Sequence, residues 1–255
     1  MTTQPHFDAA LFAFLETLRS NNNREWFQAH RQCYERAVRR PMLRFIGDVG
    51  PHLWQISPRF VADARPNGRS LFRIHRDVRF VPDKRPYKTN AGAHFRHEAG
   101  RDAHAPGFYL HLEPGTVFVA SGVWHPDRHA LTKIRDAIVA YPQRWQRVIS
   151  SKTFCATGFL GGDSLKRHPS GYDPEHPLLA DLKRKDYIAL AHFTEEQACA
   201  PDFLHVFIAT CRAFAPLTHF LTTALELPWQ GEGEGHGVGF RHTTGSALRL
   251  QRIPR

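Results

Sequence analysis

Apolar residues near the start of the chain recur at three- and four-residue spacing. Leu11, Phe14, Leu15 and Leu18 form one such stripe behind Asp8, a natural N-cap, which predicts a helix over residues 8–20. Asn21-Asn22-Asn23 interrupts it, and Asn23 is placed to cap a second helix carrying Trp26, Phe27 and Tyr34. Pro41 suits the first turn of a third helix. Its apolar residues are Leu43, Phe45, Ile46, Val49 and Leu53, with Gly50-Pro51 as a kink or an end.

The period then drops to two. Residues 71–81 predict an extended strand, 92–96 a short one, and 107–112 with 116–123 a hairpin turned at Glu113-Pro114-Gly115. Thr116 to Ala120 is apolar at successive positions, as in a strand covered on both sides. Helical spacing returns over about 126–141, with Leu131, Ile134, Ile138 and Val139, and over about 142–151. Phe154 to Leu165, broken by Gly158 and Gly161-Gly162, reads as a strand pair with a tight turn. Pro174 to Lys185 reads as a helix and Tyr187 to Phe193 as a strand. Pro201 to Leu227 reads as a long helix with Phe203, Val206, Phe207 and Leu221 in its stripe and a kink at Pro216.

Helices first, strands second and a mixture afterwards predict an α+β fold: a mixed, largely antiparallel sheet flanked by helices, with a helical N-terminal segment and a long C-terminal helix. No repeat or interior linker divides the chain. A single α+β domain is expected over 1–229, then a flexible Gly/Arg-rich tail over 230–255.

Composition agrees with a packed globule, since 42% of the 255 residues are hydrophobic and 19 are Phe. Charge adds a location. The formal net charge is +10, and between Arg65 and Arg101 ten basic residues face three acids, a net +7 in one short region. Such a surplus favours anionic partners. Cys33, Cys155, Cys199 and Cys211 are far apart with no C-x-x-C spacing, which predicts reduced thiols and a cytoplasmic setting. The N-terminus has no signal-peptide pattern. No run of about 18 apolar residues is evident, so no membrane association is expected.

If residues 71–81 are a strand, alternate positions share a face. Phe72, Ile74, Arg76, Val78 and Phe80 then form a core face with Arg76 as its misfit, and Leu71, Arg73, His75, Asp77, Arg79 and Val81 face the other way. In the hairpin, Phe108, Leu110 and Leu112 oppose Tyr109, His111 and Glu113. A shared sheet would lay Tyr109 and His111 over Arg73, Asp77 and Arg79. The proline-braced loop Pro82-Asp83-Lys84-Arg85-Pro86-Tyr87-Lys88 would flank them. Arg forks and a Tyr hydroxyl are suited to gripping phosphate or carboxylate. The ligand-binding candidates are therefore Arg73, Arg76, Arg79, Asp83, Lys84, Tyr87, Lys88 and Tyr109; His111 is the candidate for proton transfer, with Asp77 to orient the site. A solvated sheet face with Arg–Asp pairs would have the same pattern.

Other constellations are weaker. The histidines His94, His97, His104, His111, His125 and His129 lack a completing Cys or paired acid, so no metal site is assigned. The glycines near 158–162 have no following Lys-Ser/Thr of a phosphate loop, and Ala120-Ser121-Gly122 is no nucleophile elbow. Asp127 and His129 suit capping and exposure at a helix start.

Several segments together resemble a known family. They are Leu71-Phe-Arg-Ile-His-Arg-Asp-Val-Arg-Phe80 with Asp83-Lys84 and Pro86-Tyr-Lys-Thr89, Gly92-Ala-His94-Phe, Gly107-Phe-Tyr-Leu-His111, Glu113-Pro-Gly115 and Gly122-Val-Trp-His-Pro126. The chain is similar in these to the uncharacterised family called domain of unknown function 2461. Asn22-Asn-Arg-Glu-Trp-Phe27 and the Phe203–Leu225 helix resemble its flanks. The resemblance implies one α+β unit over about 7–227 and supplies no activity, cofactor or catalytic residue.

Two functional expectations follow from the residues. The first is a pocket on the sheet for a small anionic, phosphorylated ligand. The second is a non-enzymatic module binding nucleic acid or an acidic partner protein through the same basic area. A third, purely structural role has Arg73–Lys88 bracing the sheet to the N-terminal helices.

Overall fold

The computed structural model describes residues 4–66, 68–100 and 105–230. Asp8 accepts the Ala10 amide at 3.0 Å and starts α1 (Ala9–Ser20); Asn23 accepts the Trp26 amide at 2.9 Å and starts α2 (Arg24–Ala29). A short α3 (Arg31–Tyr34) passes through a π-turn at Glu35–Arg39 into α4 (Arg40–Ile56). Pro51 lies inside α4 without ending it. The carbonyl it leaves without an amide, on Gly47, is on the exposed side of the helix. Met42 joins Phe45, Ile46, Val49 and Leu53 on the buried face, and Leu43 is only half-buried.

The strands are β1 (Ala91–Arg96), β2 (Gly107–Glu113), β3 (Thr116–Val123), β4 (Phe159–Gly161) and β5 (Tyr187–Phe193). They form one sheet in the order β1-β2-β3-β5-β4, every pair antiparallel. The remaining helices are α5 (Arg128–Ala140), α6 (Pro142–Ile149), α7 (Lys152–Thr157), α8 (Leu179–Leu182), α9 (Glu195–Cys199) and α10 (Phe203–Ala224). The result is an α+β fold.

Register sorts the sheet into two faces. The row Ala93, Leu110, Val119, Ala191 is buried beneath the helices. There the aromatic core gathers around α4 and α10: Phe45 packs against Phe7 and Phe207 at 5.0 and 5.2 Å, and Phe95 meets Phe207 at 5.5 Å. Burial of each such ring contributes roughly 1.5–3 kcal/mol. A second apolar cluster, with Ile138, Trp145, Tyr187 and Phe220, joins α5 and α6 to the far half of α10. By length and composition α10 could cross a membrane, yet half of that apolar window is buried inside the fold.

The row His94, Tyr109, Ala120, Leu190, Phe159 and the row Gly92, His111, Phe118, His192 face away from those helices. Phe118 is only half-buried, so β3 is fully covered on one face and not on both.

Three expectations need correction. Residues 71–81 do not form a strand. Leu71 bridges Ala93 at the edge of β1, the chain then leaves the sheet, and His75 bridges Tyr87. Between these contacts Asp77 and Asp83 accept amides two residues on, from Arg79 at 3.3 Å and Arg85 at 3.0 Å. Such local turns compete with a ladder. The face assignment built on that strand fails with it: Ile74 is buried, but Phe80 is 89% exposed. The strand pair expected over 154–165 is mostly helix, because Ser151 caps α7 through the Phe154 amide, and only Phe159–Gly161 pairs with β5. The helix expected over 174–185 shrinks to α8; Pro174 and Pro177 interrupt the approach, and His176 takes the Leu178 amide at 3.1 Å. The expected tail lies, from residue 231 on, outside the described residues, as does His104.

Candidate functional site on the open face of the sheet

The basic segment divides by how its charges are paired. Three Asp-x-Arg triplets each close on themselves. Asp63 takes both Arg65 Nε at 2.8 Å and a terminal nitrogen at 2.7 Å, Asp77 takes the same pair from Arg79 at 2.9 and 2.6 Å, and Asp83 takes it from Arg85 at 3.0 and 2.8 Å. Asp83 also receives Arg76 at 2.7 Å. Hydrogen bonds from Arg79 lower the Asp77 carboxyl to about 2, and those from Arg85 and Arg76 hold Asp83 well below the usual carboxylate range. Lys84 donates to the Val78 carbonyl at 2.9 Å. The loop 77–85 is thus an exposed set of satisfied charges.

Tyr87 and Lys88 are held differently. The Asn22 side chain pairs with the Tyr87 backbone in both directions, donating to its carbonyl at 2.9 Å and accepting its amide at 3.0 Å. The Tyr87 ring, 2% exposed, stacks on Phe27 at 4.1 Å. Arg76 N to the Pro86 carbonyl and Lys88 N to the Ile74 carbonyl, at 2.9 and 2.8 Å, complete a rigid ledge. At its end the half-buried Lys88 ammonium lies 5.0 Å from the centre of the Phe72 ring. Burial lowers its pKa, and the neighbouring Arg73 charge lowers it further. Among the described residues neither Lys88 nor Arg73 forms a close ion pair, although the Arg73 charge reaches Asp77.

One ring away lies a polar chain along β2. Phe72 meets Tyr109 at 5.8 Å. The phenol can lie over β1 only because residue 92 is glycine; a Cβ there would stand 2.5 Å from the Tyr109 oxygen. Tyr109 Oη is 3.1 Å from His111 Nδ1, and His111 Nε2 is 3.1 Å from Glu113 Oε2. Glu113 Oε1 accepts the Thr89 hydroxyl at 2.9 Å and Arg19 at 3.4 Å. An ionised carboxylate only accepts, so Nε2 carries the ring proton and Nδ1 of the neutral imidazole accepts from Tyr109 O–H. Asn90 Nδ2, 3.4 Å from Nδ1, approaches the same acceptor. Burial lowers the His111 pKa against the upward pull of Glu113, and burial raises Tyr109. Phe118 stacks on the His111 ring at 4.5 Å. Chemically this is a three-member relay: a proton leaving the phenol can pass to His111 and leave an imidazolium beside a carboxylate.

The sequence profile of a family described as "Conserved hypothetical protein (DUF2461)" matches residues 10–220. The chain belongs to the DUF2461 family. No curated protein and no solved structure was found to match it. The DUF2461 match spans every residue of the ledge and of the relay.

Of the residues nominated from the sequence, the structure brings Lys88, Tyr109 and His111 together through Phe72, with Arg73 at the rim. Arg76, Arg79, Asp83 and Lys84 lie in the paired loop, where Asp77 holds Arg79 and Asp83 holds Arg76 and Arg85, and Tyr87 is a packing residue. The carboxylate beside His111 is Glu113. Thr89, Asn90, Arg19, Phe72 and Glu113 also belong to the site; of these only Glu113 has a sequence signal, since it shares a strand face with Tyr109 and His111 at i, i+2 and i+4. Among the described residues no group of three or more His, Cys, Asp or Glu is arranged to hold a metal ion.

Proposed function

We propose that this DUF2461 protein binds a small, phosphate-bearing anion on the open face of its sheet, with Lys88 and Arg73 holding the charge and Tyr109, His111 and Glu113 exchanging a proton with the ligand. One observation carries the reading. Lys88 is partly desolvated beside a second cation, Arg73, with no carboxylate among the described residues paired to it, on a ledge built rigidly enough to keep it there. Desolvating an uncompensated charge is costly, and an anion between the two cations relieves that cost. The relay then faces the bound group through its phenol, whose proton is already directed at His111.

Isothermal titration with pyrophosphate tests the reading. Wild type should bind, Lys88→Ala should lose about tenfold or more in affinity, the loss of one charge-assisted contact, and Arg79→Ala should bind as wild type. Absence of pyrophosphate binding by wild type, or equal binding by Lys88→Ala, overturns it. A single-stranded oligonucleotide in parallel separates the alternative: a nucleic-acid surface gives affinity that falls steeply with salt and depends on Arg79 and Arg85 as well.

A further inference from the structure

The open face of the sheet extends beyond the relay, and that extension is apolar. Register carries the Tyr109 row on through Ala120 and Leu190 to Phe159, and the His111 row on through Phe118 to His192. Phe118, Ile188 and Leu190 are half-buried on this face, and Phe159 on the outer strand is 51% exposed. Single exposed apolar side chains need no explanation, whereas a contiguous set marks a binding surface. Here the set is continuous with the cations. Lys88 Nζ lies 5.0 Å from the centre of the Phe72 ring, and Phe72 meets Tyr109 at 5.8 Å. Ring then follows ring: Tyr109 to His111 at 6.0 Å, His111 to Phe118 at 4.5 Å, Phe118 to His192 at 6.1 Å and His192 to Phe159 at 5.9 Å.

Polarity therefore falls in one direction across the sheet. Lys88 and Arg73 stand outside β1, Tyr109 and His111 lie on β2, Phe118 on β3, and Leu190 and Phe159 on β5 and β4. From β2 to β4 is three strand spacings, roughly 14 Å. The ring planes decide which apolar group fits. His111 is tilted 11° from Phe118, and His192 20° from Phe159, so those ring faces are turned toward each other. What they present outward is ring edges, beside the branched ends of Leu190 and Ile188. Such a surface gives a stacking ring little to bind and gives a flexible chain a continuous apolar track.

We propose that the anion is the head of an amphiphile, a phosphate monoester of an aliphatic chain. Its phosphate sits at Lys88 and Arg73, and its chain lies over Phe118, Leu190 and Phe159. The inference rests on the anion reading above and adds the tail to it. Charge complementarity fixes the head at the β1 edge, and the apolar track fixes the direction of the chain toward β4. Tyr109 and His111 then lie beneath the junction of head and tail. The ligand is a single molecule and not a bilayer surface, because a chain laid along a sheet face has left the membrane.

Isothermal titration of the full-length protein with pyrophosphate, ethyl phosphate and octyl phosphate, the last below its micelle concentration, tests the tail separately from the head. A fully buried methylene gains roughly fourfold in affinity, and one covered on a single side about twofold. Octyl phosphate should accordingly bind about 50-fold tighter than ethyl phosphate. Phe159→Ser should weaken octyl phosphate by about fivefold and leave pyrophosphate unchanged. Lys88→Ala should weaken both. Equal affinity for the ethyl and octyl esters, with pyrophosphate still bound, overturns the amphiphile and leaves the anion reading standing; no binding of any of the three overturns both. Octyl phosphate binding that is indifferent to Lys88→Ala is adsorption of a surfactant and overturns the proposal. Binding to phosphatidate vesicles without binding of monomeric octyl phosphate overturns it as well. Should Phe159→Ser fail to fold, the chain-length series on wild type and the Lys88→Ala comparison still decide it.

Discussion

Two neighbouring pieces of the same basic stretch behave oppositely. In residues 77–85 each arginine binds the aspartate two residues before it, and Asp83 also takes Arg76. In residues 86–90 the chain is tied down by Asn22, Phe27 and Ile74, and Lys88 is half-buried with no acid paired to it among the described residues. Charge density alone is therefore a poor guide to a site. What separates the two pieces is whether a cation has an internal partner and whether it is free to relax into solvent.

The largest expected effect comes from removing the ledge itself. Tyr87→Ala takes away a ring that is 2% exposed and stacked on Phe27, and should cost about 3–5 kcal/mol, the range for buried aromatic truncations. Urea denaturation measures it; a loss near zero would mean that Tyr87 does not hold the ledge. Next is Lys88→Ala, which should lower pyrophosphate affinity by about tenfold or more while leaving the denaturation midpoint unchanged or slightly raised. A lowered midpoint would show that Lys88 supports the fold instead of standing ready for an anion.

The sheet was largely legible in the sequence, and the site only partly. Asp8, Asn23 and Asp127 announced helix starts, and each accepts an amide as a cap. The period-two runs at 107–112, 116–123 and 187–193 became strands because they have a partner on both sides. Residues 71–81 have equal β-forming content, but they lie outside the edge of β1, where the Asp-x-Arg turns satisfy the backbone locally. That competition is decided by tertiary position. The relay was half visible. Tyr109 and His111 share a face by parity, whereas the approach of Thr89, Asn90 and Arg19 to the same end of β2 depends on how distant segments fold over it.

A subtler difference concerns titration. His111 has its pKa lowered by burial, while Glu113 pulls it upward. A histidine with a folded pKa below its unfolded value of about 6.5 contributes stability that is complete above that pH. The contribution is lost as pH falls through the folded midpoint. Proton NMR of the His111 ring should give a midpoint below 6.5, and Glu113→Gln should move it lower still, since the upward pull is gone. A midpoint that rises in Glu113→Gln would break the relay as drawn.

The smallest effect is a predicted absence. Asp77 and Arg79 are joined by two short hydrogen bonds, 2.9 and 2.6 Å, which on geometry alone would rank among the strongest ion pairs of the molecule. Their side chains are 46% and 73% exposed, however. Water competes for both partners, salt screens them, and ordering the arginine opposes the gain. The double replacement Asp77→Ala with Arg79→Ala should therefore leave the thermal midpoint within measurement error at physiological salt, and pyrophosphate binding unaltered. The carboxyl near pKa 2 gives a second reading: removing Arg79 alone should return Asp77 toward the ordinary carboxylate value without a matching loss of fold stability. If the double variant instead loses affinity, the loop 77–85 closes over the ledge when an anion arrives. The paired arginines would then be a reserve of charge released on binding, and the contrast between the two pieces would hold only for the free protein.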